Sequence, residues 1–476
     1  MQFIGRKKEL KLLDKAWHSE DAFVMISGRR CVGKTALVRE FLKNRNALFF
    51  TAQNVSDKMN RVAFETMLYD HMGVSRSDSP DYKNVMSWKD AFRLYAETAE
   101  TGGKVLVVDN FDFLMAGNED FVKIFKNAWQ QVFSVYGVMV IIIMPSCASL
   151  LELAMKKSFM DNITRHIDLK PVGYVEMMRD MPHNDFNQLM FLFSVAGGIP
   201  KYWQPFAACI DDKNFRRAIE KNFFDIHGEF YQEVPYLLQN DVWDMHVYQS
   251  TLLGLAAGLT SPEDIAEVTG FKLSQVENTI KNLILLGYVE KSTSVVEKRL
   301  FGRKTILYRI KDPMVAFWFT FVAPFYDEIK QGRTGRAKKK LKTHFAEYIQ
   351  YWFRRVATDI FMTASRQGSV PIHCGEVGEY FNRHHEGIDI LGIDVDNRKI
   401  FLGDCNYSNQ PYTMDKFEQF VSHCENIKEI KRNFKNYERV YGIFSAYPFD
   451  KELLDFALIT KNVLLFNGIT IYSLNS

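Results

Sequence analysis

A chain of 476 residues is too long for a single hydrophobic core and, at roughly 150 residues per domain, implies about three. With 47% hydrophobic, 14% aromatic and 25% charged residues it has the composition of a folded globular protein, which excludes a disordered or fibrous chain. A net charge of +3 is too small to argue for nucleic acid as a general partner, so any such partner must be carried by local basic clusters. The cysteines Cys31, Cys147, Cys209, Cys374, Cys405 and Cys424 are scattered, without a CxxC pair or a zinc-type histidine spacing, which fits a reduced compartment. Met1 to Glu9 lacks the apolar stretch of a signal peptide, and the longest apolar run, Val138 to Met144, falls far short of the ~20 residues of a membrane-spanning helix. A cytoplasmic protein with no membrane partner is expected.

In chain order, Ala22 to Ser27 is a short apolar run with the length of a buried strand. It leads into Gly28-Arg29-Arg30-Cys31-Val32-Gly33-Lys34-Thr35, which matches G-x-x-x-x-G-K-[ST], and the residues that follow have helical spacing. A glycine-rich loop between a strand and a helix turns backbone N–H groups around phosphate oxygens, and the helix dipole adds to their pull. Lys34 then reaches the terminal phosphates, and the Thr35 hydroxyl ligates Mg²⁺. The expected cofactors are ATP and Mg²⁺, bound by all eight residues of the loop and by Asp109, which ends the apolar strand Lys104 to Asp109.

Hydrolytic enzymes of this class commonly place Glu directly after that aspartate, where it activates the attacking water. Here the position holds Asn110, and an amide is not a base. Asp112 is a possible substitute, although a polar residue that starts a helix is the favoured reading of it. A third strand, Gly137 to Met144, is apolar throughout, as burial on both faces of a parallel sheet requires. It ends at Pro145-Ser146, which sets Ser146 near the phosphates, either to sense the γ-phosphate or simply to cap the strand.

Phe3-Ile4-Gly5-Arg6-x-x-Glu9-Leu10, the GRRxVGKT loop, the Asp109 strand, Leu169-Lys170-Pro171 and Ala196 to Tyr202 together resemble the archaeal-type AAA+ ATPases. The resemblance implies an α/β fold with a parallel P-loop sheet and a helical lid. It also implies that the opening segment packs near the adenine and that Gly197 to Pro200 belongs to the lid. One departure bears on activity: members commonly carry Gly-Arg-Arg before Leu-Lys-Pro, whereas this chain has Asp161-Asn162-Ile163-Thr164-Arg165. Asn162 thus stands where an arginine is expected and only Arg165 is nearby. With Asn110, that predicts nucleotide binding with slow or absent hydrolysis.

Between Gln249 and Lys311 short amphipathic helices and a hairpin suggest a winged helix. Thr260-Ser261-Pro262-Glu263 starts one helix and Gly270 turns it. Ser274 to Leu286 is the second, burying Val276, Ile280, Leu283 and Ile284 and presenting Gln275, Asn278, Thr279, Lys281 and Asn282. A hairpin of Tyr288 to Lys291 with Ile306 to Ile310 would carry Lys298, Arg299, Arg303 and Lys304 at its tip. DNA, held mainly through phosphates, is one expected partner of this face; another protein is the alternative.

Farther on, an aromatic helix containing Phe317-Trp318-Phe319 is followed by a basic run from Lys330 to Lys342, read as a solvated surface. Glu347 lies on a helix, Gly387 to Leu391 reads as a strand and Lys399 to Tyr407 as the next. This order resembles a restriction-endonuclease-like core, with Asp389 and Asp404 as its acids, but Asn406 occupies the lysine position. Nuclease activity is therefore not expected, although Glu347, Asp389 and Asp404 offer hard oxygens for a second metal. His384-His385-Glu386 reads as a polar loop. The expected organisation is an AAA+ core at 1–170, a helical lid at 171–245, a winged helix at 246–311 and a degenerate nuclease-like domain at 312–476. The expected function is that of an ATP-dependent, DNA-associated switch. The alternatives are an active DNA-dependent ATPase or nuclease, and a non-catalytic interaction scaffold.

Overall fold

Three runs of β-branched and aliphatic residues set the centre of the first sheet. Phe23–Ser27 (β1), Lys104–Asp109 (β3) and Val138–Ile143 (β4) are buried at every position, as strands covered on both faces must be. The computed structural model describes residues 3–19, 22–75, 84–98, 104–144, 153, 157–181, 185–206, 212–239, 244–295, 306–382 and 387–473. They fall into two compact units, 1–172 with 199–201, and 173–198 with 202–476.

In the first unit, Ala47–Thr51 (β2) and Arg165–Asp168 (β5) complete a five-stranded sheet of order β2-β3-β4-β1-β5, parallel throughout. Lys7–Trp17 (α1) packs against Lys34–Phe41 (α2) and β1. Asp57–His71 (α3), Trp88–Glu97 (α4), Phe111–Gly117 (α5) and Phe121–Ala128 (α6) bury an aromatic cluster that includes Phe23, Phe64, Trp88, Phe92, Phe111 and Phe125. Each such ring contributes roughly 1.5–3 kcal/mol by leaving water. The buried Lys104 ammonium caps α4 by donating to the carbonyls of Tyr95 and Ala96. The strand order is what builds the site. Ile143 pairs with both Ile26 and Asp109, so the loop after β1 and the carboxylate ending β3 leave the sheet at one level, two strand spacings or about 9.5 Å apart.

In the second unit, Phe186–Ala196 (α7) starts with an Asp185–Gln188 capping box and buries Leu189, Met190, Leu192 and Val195. It packs against Pro313–Phe321 (α11) and the 33-residue Gly335–Gln367 (α12), so the stretch expected as a lid groups with the later part of the chain. Met245–Ala256 (α8), Pro262–Thr269 (α9) and Leu273–Leu285 (α10) pack together beside an antiparallel hairpin of Val289–Thr293 (β6) and Ile306–Ile310 (β7). The expected first hairpin strand thus starts one residue later and ends two residues later. Lys298, Arg299, Arg303 and Lys304 lie outside the described residues, as do His384, His385 and Glu386.

The C-terminal sheet contains Glu376–Phe381 (β8), Gly387–Asp394 (β9), Lys399–Asn406 (β10), Glu438–Ser445 (β11), Val463–Asn467 (β12) and Thr470–Tyr472 (β13). Its order is β13-β12-β11-β10-β9-β8, with β10, β11 and β12 parallel and the outer pairs antiparallel. α12 packs against β8, β9 and β10, where Phe361 stacks on Phe401 at 3.7 Å. The molecule is α/β throughout its described length. No described helix is long and apolar enough to cross a membrane.

Candidate nucleotide site and a second acidic centre

The loop after β1 depends on left-handed backbone. Gly28 (φ 141°), Cys31 (φ 63°) and Gly33 (φ 98°) alternate the peptide direction, the geometry that gathers N–H groups around an anion. A Cβ on Gly28 would press into the Leu169 carbonyl, so glycine is required there on steric grounds as well. Lys34, only 7% exposed, folds over the loop and donates to the carbonyls of Gly28 (2.6 Å) and Arg29 (2.9 Å). Arg29 and Arg30 are half-buried beside it. The Thr35 hydroxyl donates to Asp109 Oδ2 at 2.8 Å, while Asp109 Oδ1 accepts from the Asn110 backbone N–H at 2.9 Å. A hydroxyl and a carboxylate in contact are hard oxygen donors of the kind Mg²⁺ takes.

Two contributors lie outside the residues expected to bind the nucleotide directly. Arg6, buried and left-handed at φ 65°, donates to the Val32 carbonyl at 3.0 Å and pairs with Glu9, so the opening segment braces the loop itself. Ser27 hydrogen-bonds His166 of β5 at 2.7 Å, and burial pulls the imidazole pKa down. The F-I-G-R opening signals the first; nothing local signals the second.

Asn110 is held by its conformation. At φ 55° it occupies the left-handed region that asparagine tolerates, and its amide donates to the Ala52 carbonyl at 3.2 Å. Asp112 lies in the first turn of α5, where a carboxylate complements the helix dipole. Asn162 bridges Ser158 O (2.7 Å) and Gln130 Nε2 (3.0 Å), tying one loop to its neighbour. Arg165 pairs with Val24, three residues before Asp168 meets Ser27. At ~3.3 Å per residue its backbone therefore lies about 10 Å from the phosphate end of the sheet. Ser146 lies outside the described residues.

On α10, Gln275, Asn278 and Lys281 are exposed, as the spacing predicts. Thr279 is a correction: it is buried with Val276, Ile280 and Leu283, because the packed stripe of this helix is wider than its apolar residues alone suggest. Asn282 is tied to the Tyr248 hydroxyl at 2.7 Å, and the Gln275 amide oxygen caps the Lys272 N–H.

The second acidic centre closes on itself. Beyond the Gly403–Ile390 pair, Asp404 and Asp389 occupy the next position in register on β10 and β9. Asp389 Oδ1 meets Arg354 Nε of α12 at 3.1 Å, and its Oδ2 accepts from the Cys405 N–H at 3.1 Å. Asp404 Oδ2 accepts from the Tyr412 hydroxyl at 2.6 Å, and Gln350 Nε2 donates to the Cys405 carbonyl at 2.7 Å. Burial, opposed by Arg354 and reinforced by the Asp404 charge, pushes Asp389 up to about 6. Glu347 does not join them. It lines a cavity of about 500 Å³ with Arg309, Lys340, His344 and Tyr351, and no group of three or more metal-ligating side chains converges among the described residues. The expected Glu347–Asp389–Asp404 trio is corrected accordingly: three residues on a helix and two strands share a region of sequence, and the packing of α12 turns Glu347 elsewhere. Asn406 Nδ2 is buried with no hydrogen-bond partner.

Comparison with known proteins finds similarity in two parts of the chain. Residues 3–204 match the model of an ATPase domain predominantly from Archaea, and residues 318–437 match a family described as archaea bacterial proteins of unknown function. An uncharacterised protein of Methanocaldococcus jannaschii is 23% identical over 406 residues, 84% of this chain and 86% of that protein. An uncharacterised ATP-binding protein of the same organism is 41% identical over 46 residues, 10% of this chain and 78% of that protein. Among solved structures, the Walker-type ATPase of Pyrococcus abyssi aligns with a TM-score of 0.50 at 15% identity over 67% of this chain and 96% of its own, a likeness of fold. Residues 3–204 are thus similar to an ATPase domain predominantly from Archaea, and residues 318–437 to a family of unknown function.

Proposed function

We propose that this protein is an AAA+-type, Mg-ATP-binding switch that hydrolyses ATP slowly and associates with DNA through a winged helix. The observation that carries the reading is the contact of Thr35 with Asp109 beneath a loop whose lysine rests on replaceable carbonyl partners. Mg²⁺, held by Thr35 and Asp109, would neutralise part of the phosphate charge. Arg6 and Glu9 keep the loop in register, and Lys34 moves from its carbonyls to the phosphates. Slow hydrolysis follows from Asn110: its amide is committed to Ala52, so no base follows Asp109. A switch needs ATP to favour one arrangement of the chain over another, and the arginines flanking the loop are the groups that can report its presence.

The DNA reading is supported by the order α8, α9, α10, β6, β7, with Gln275, Asn278 and Lys281 exposed on the third helix. The deciding experiment incubates the protein with Mg-ATP, removes free nucleotide and identifies what remains bound after hours. Retained ATP supports a switch. Turnover of about 1 s⁻¹ or faster, abolished in Lys34→Ala, would show an engine instead. A DNA titration at two salt concentrations tests the second element, since phosphate-dominated binding must weaken steeply as salt rises.

A further inference from the structure

The C-terminal sheet, read as nuclease-like, implies a divalent cation between Asp389, Asp404 and the Cys405 carbonyl. The residues present do not fit one. Each of these groups is engaged from within the chain: Asp389 by an ion pair with Arg354 and a hydrogen bond from the Cys405 N–H, Asp404 by a hydrogen bond from Tyr412, and the Cys405 carbonyl by one from Gln350. Two of those partners, Gln350 and Arg354, stand one turn apart on α12, so a single helix supplies both. Gln350 is locked further, because its Oε1 accepts the Tyr407 N–H at 2.5 Å. The third carboxylate that a cation needs, Glu347, lines a different cavity.

We infer that the Arg354 guanidinium takes the place of a divalent cation in this centre, with Gln350 engaging the Cys405 carbonyl and Tyr412 the Oδ2 of Asp404, so that the C-terminal domain is a metal-independent module. The chemistry is consistent at each point. A guanidinium is charged at all physiological pH values and presents a planar set of donors to a carboxylate. Its single charge offsets one of the two facing carboxylates, and Tyr412 satisfies the other without adding charge. Hard divalent ions take about six oxygen ligands, and here both Asp389 oxygens, Asp404 Oδ2 and the Cys405 carbonyl already have partners. The lysine expected at Asn406 has no counterpart on β10; the positive charge comes from α12 instead. Asp389 and Asp404 then serve to anchor α12 to β9 and β10.

The inference rests on the nuclease-like reading of this sheet, and Mn²⁺ titration of the full chain without nucleotide, followed by electron paramagnetic resonance, separates the two. Wild-type protein is expected to show no Asp389-dependent Mn²⁺ binding up to about 1 mM, the weak end of protein cation sites. Arg354→Ala is expected to gain one site, at least about tenfold tighter than that limit, which disappears again when Asp389→Asn is added. Arg354→Gln, which keeps a neutral hydrogen-bonding side chain, is read the same way if the alanine variant fails to fold. Wild-type Mn²⁺ binding that Asp389→Asn abolishes would overturn the inference while leaving the nuclease-like reading standing. Folded Arg354 variants that gain no site overturn it too, and they remove the support for a metal centre at this place altogether.

Discussion

Each unit of the molecule places an aspartate near the C-terminal end of an interior strand and gives it a hydroxyl partner: Thr35 on Asp109, and Tyr412 on Asp404. The two centres differ in what surrounds that pair. Around Asp109 the cation, Lys34, donates to the backbone carbonyls of Gly28 and Arg29, and Gly28, Cys31 and Gly33 give the loop its left-handed backbone. Around Asp389 and Asp404 the cation, Arg354, is spent on the carboxylate itself, and a glutamine holds the carbonyl beside it. An acid on a strand end is therefore not yet a site. What counts is whether the positive charge nearby can transfer to a ligand.

The largest effect expected is on the open centre. Lys34→Ala should weaken ATP binding on the order of 100-fold, the equivalent of about 2.7 kcal/mol, since charged hydrogen bonds to phosphate carry that much. A fluorescent-nucleotide titration reads it, and a change under threefold would break the contrast drawn above. Gly28→Ala comes next: a left-handed alanine pressed against the Leu169 carbonyl should lower the stability of the first unit by about 2 kcal/mol, visible as an earlier unfolding midpoint.

The closed centre should show itself through pH. Asp389 titrates near 6 in the folded chain against an ordinary 3.8, so its contribution is full below 3.8 and is lost as pH rises through about 6. Wild-type stability measured against Asp389→Asn should therefore fall by about 1–2 kcal/mol between pH 4 and 7. A flat difference would mean that Asp389 is not the confined carboxylate described here. The smallest effect belongs to Asn110→Ala, which loses the Ala52 bond and an easy left-handed conformation and should cost about 1 kcal/mol by chemical denaturation.

Much of the first centre is legible in the sequence. The phosphate loop, its strand and helix, Asp109 and the strand Lys104–Asp109 follow from local spacing alone, because glycine conformations and continuous apolar runs act over a few residues. Helix α10 is legible to within a residue or so at each end, but not the burial of Thr279, which packing against its neighbours decides. Arg6 on the Val32 carbonyl lies 26 residues away in sequence, and His166 on Ser27 lies 139 away. No spacing rule reaches that far.

The amino-acid order by itself determined that a nucleotide-binding loop exists and that positions 110 and 162 carry asparagines. Only the tertiary structure decided what those asparagines do: one is bound to Ala52, the other bridges Ser158 and Gln130. The same holds for the acids of the second centre. Asp389 and Asp404 are visible as residues, but whether a cation or an arginine faces them depends on which turn of a 33-residue helix meets the sheet. That choice is made by the long-range burial of α12 against β8, β9 and β10, which a linear pattern does not encode.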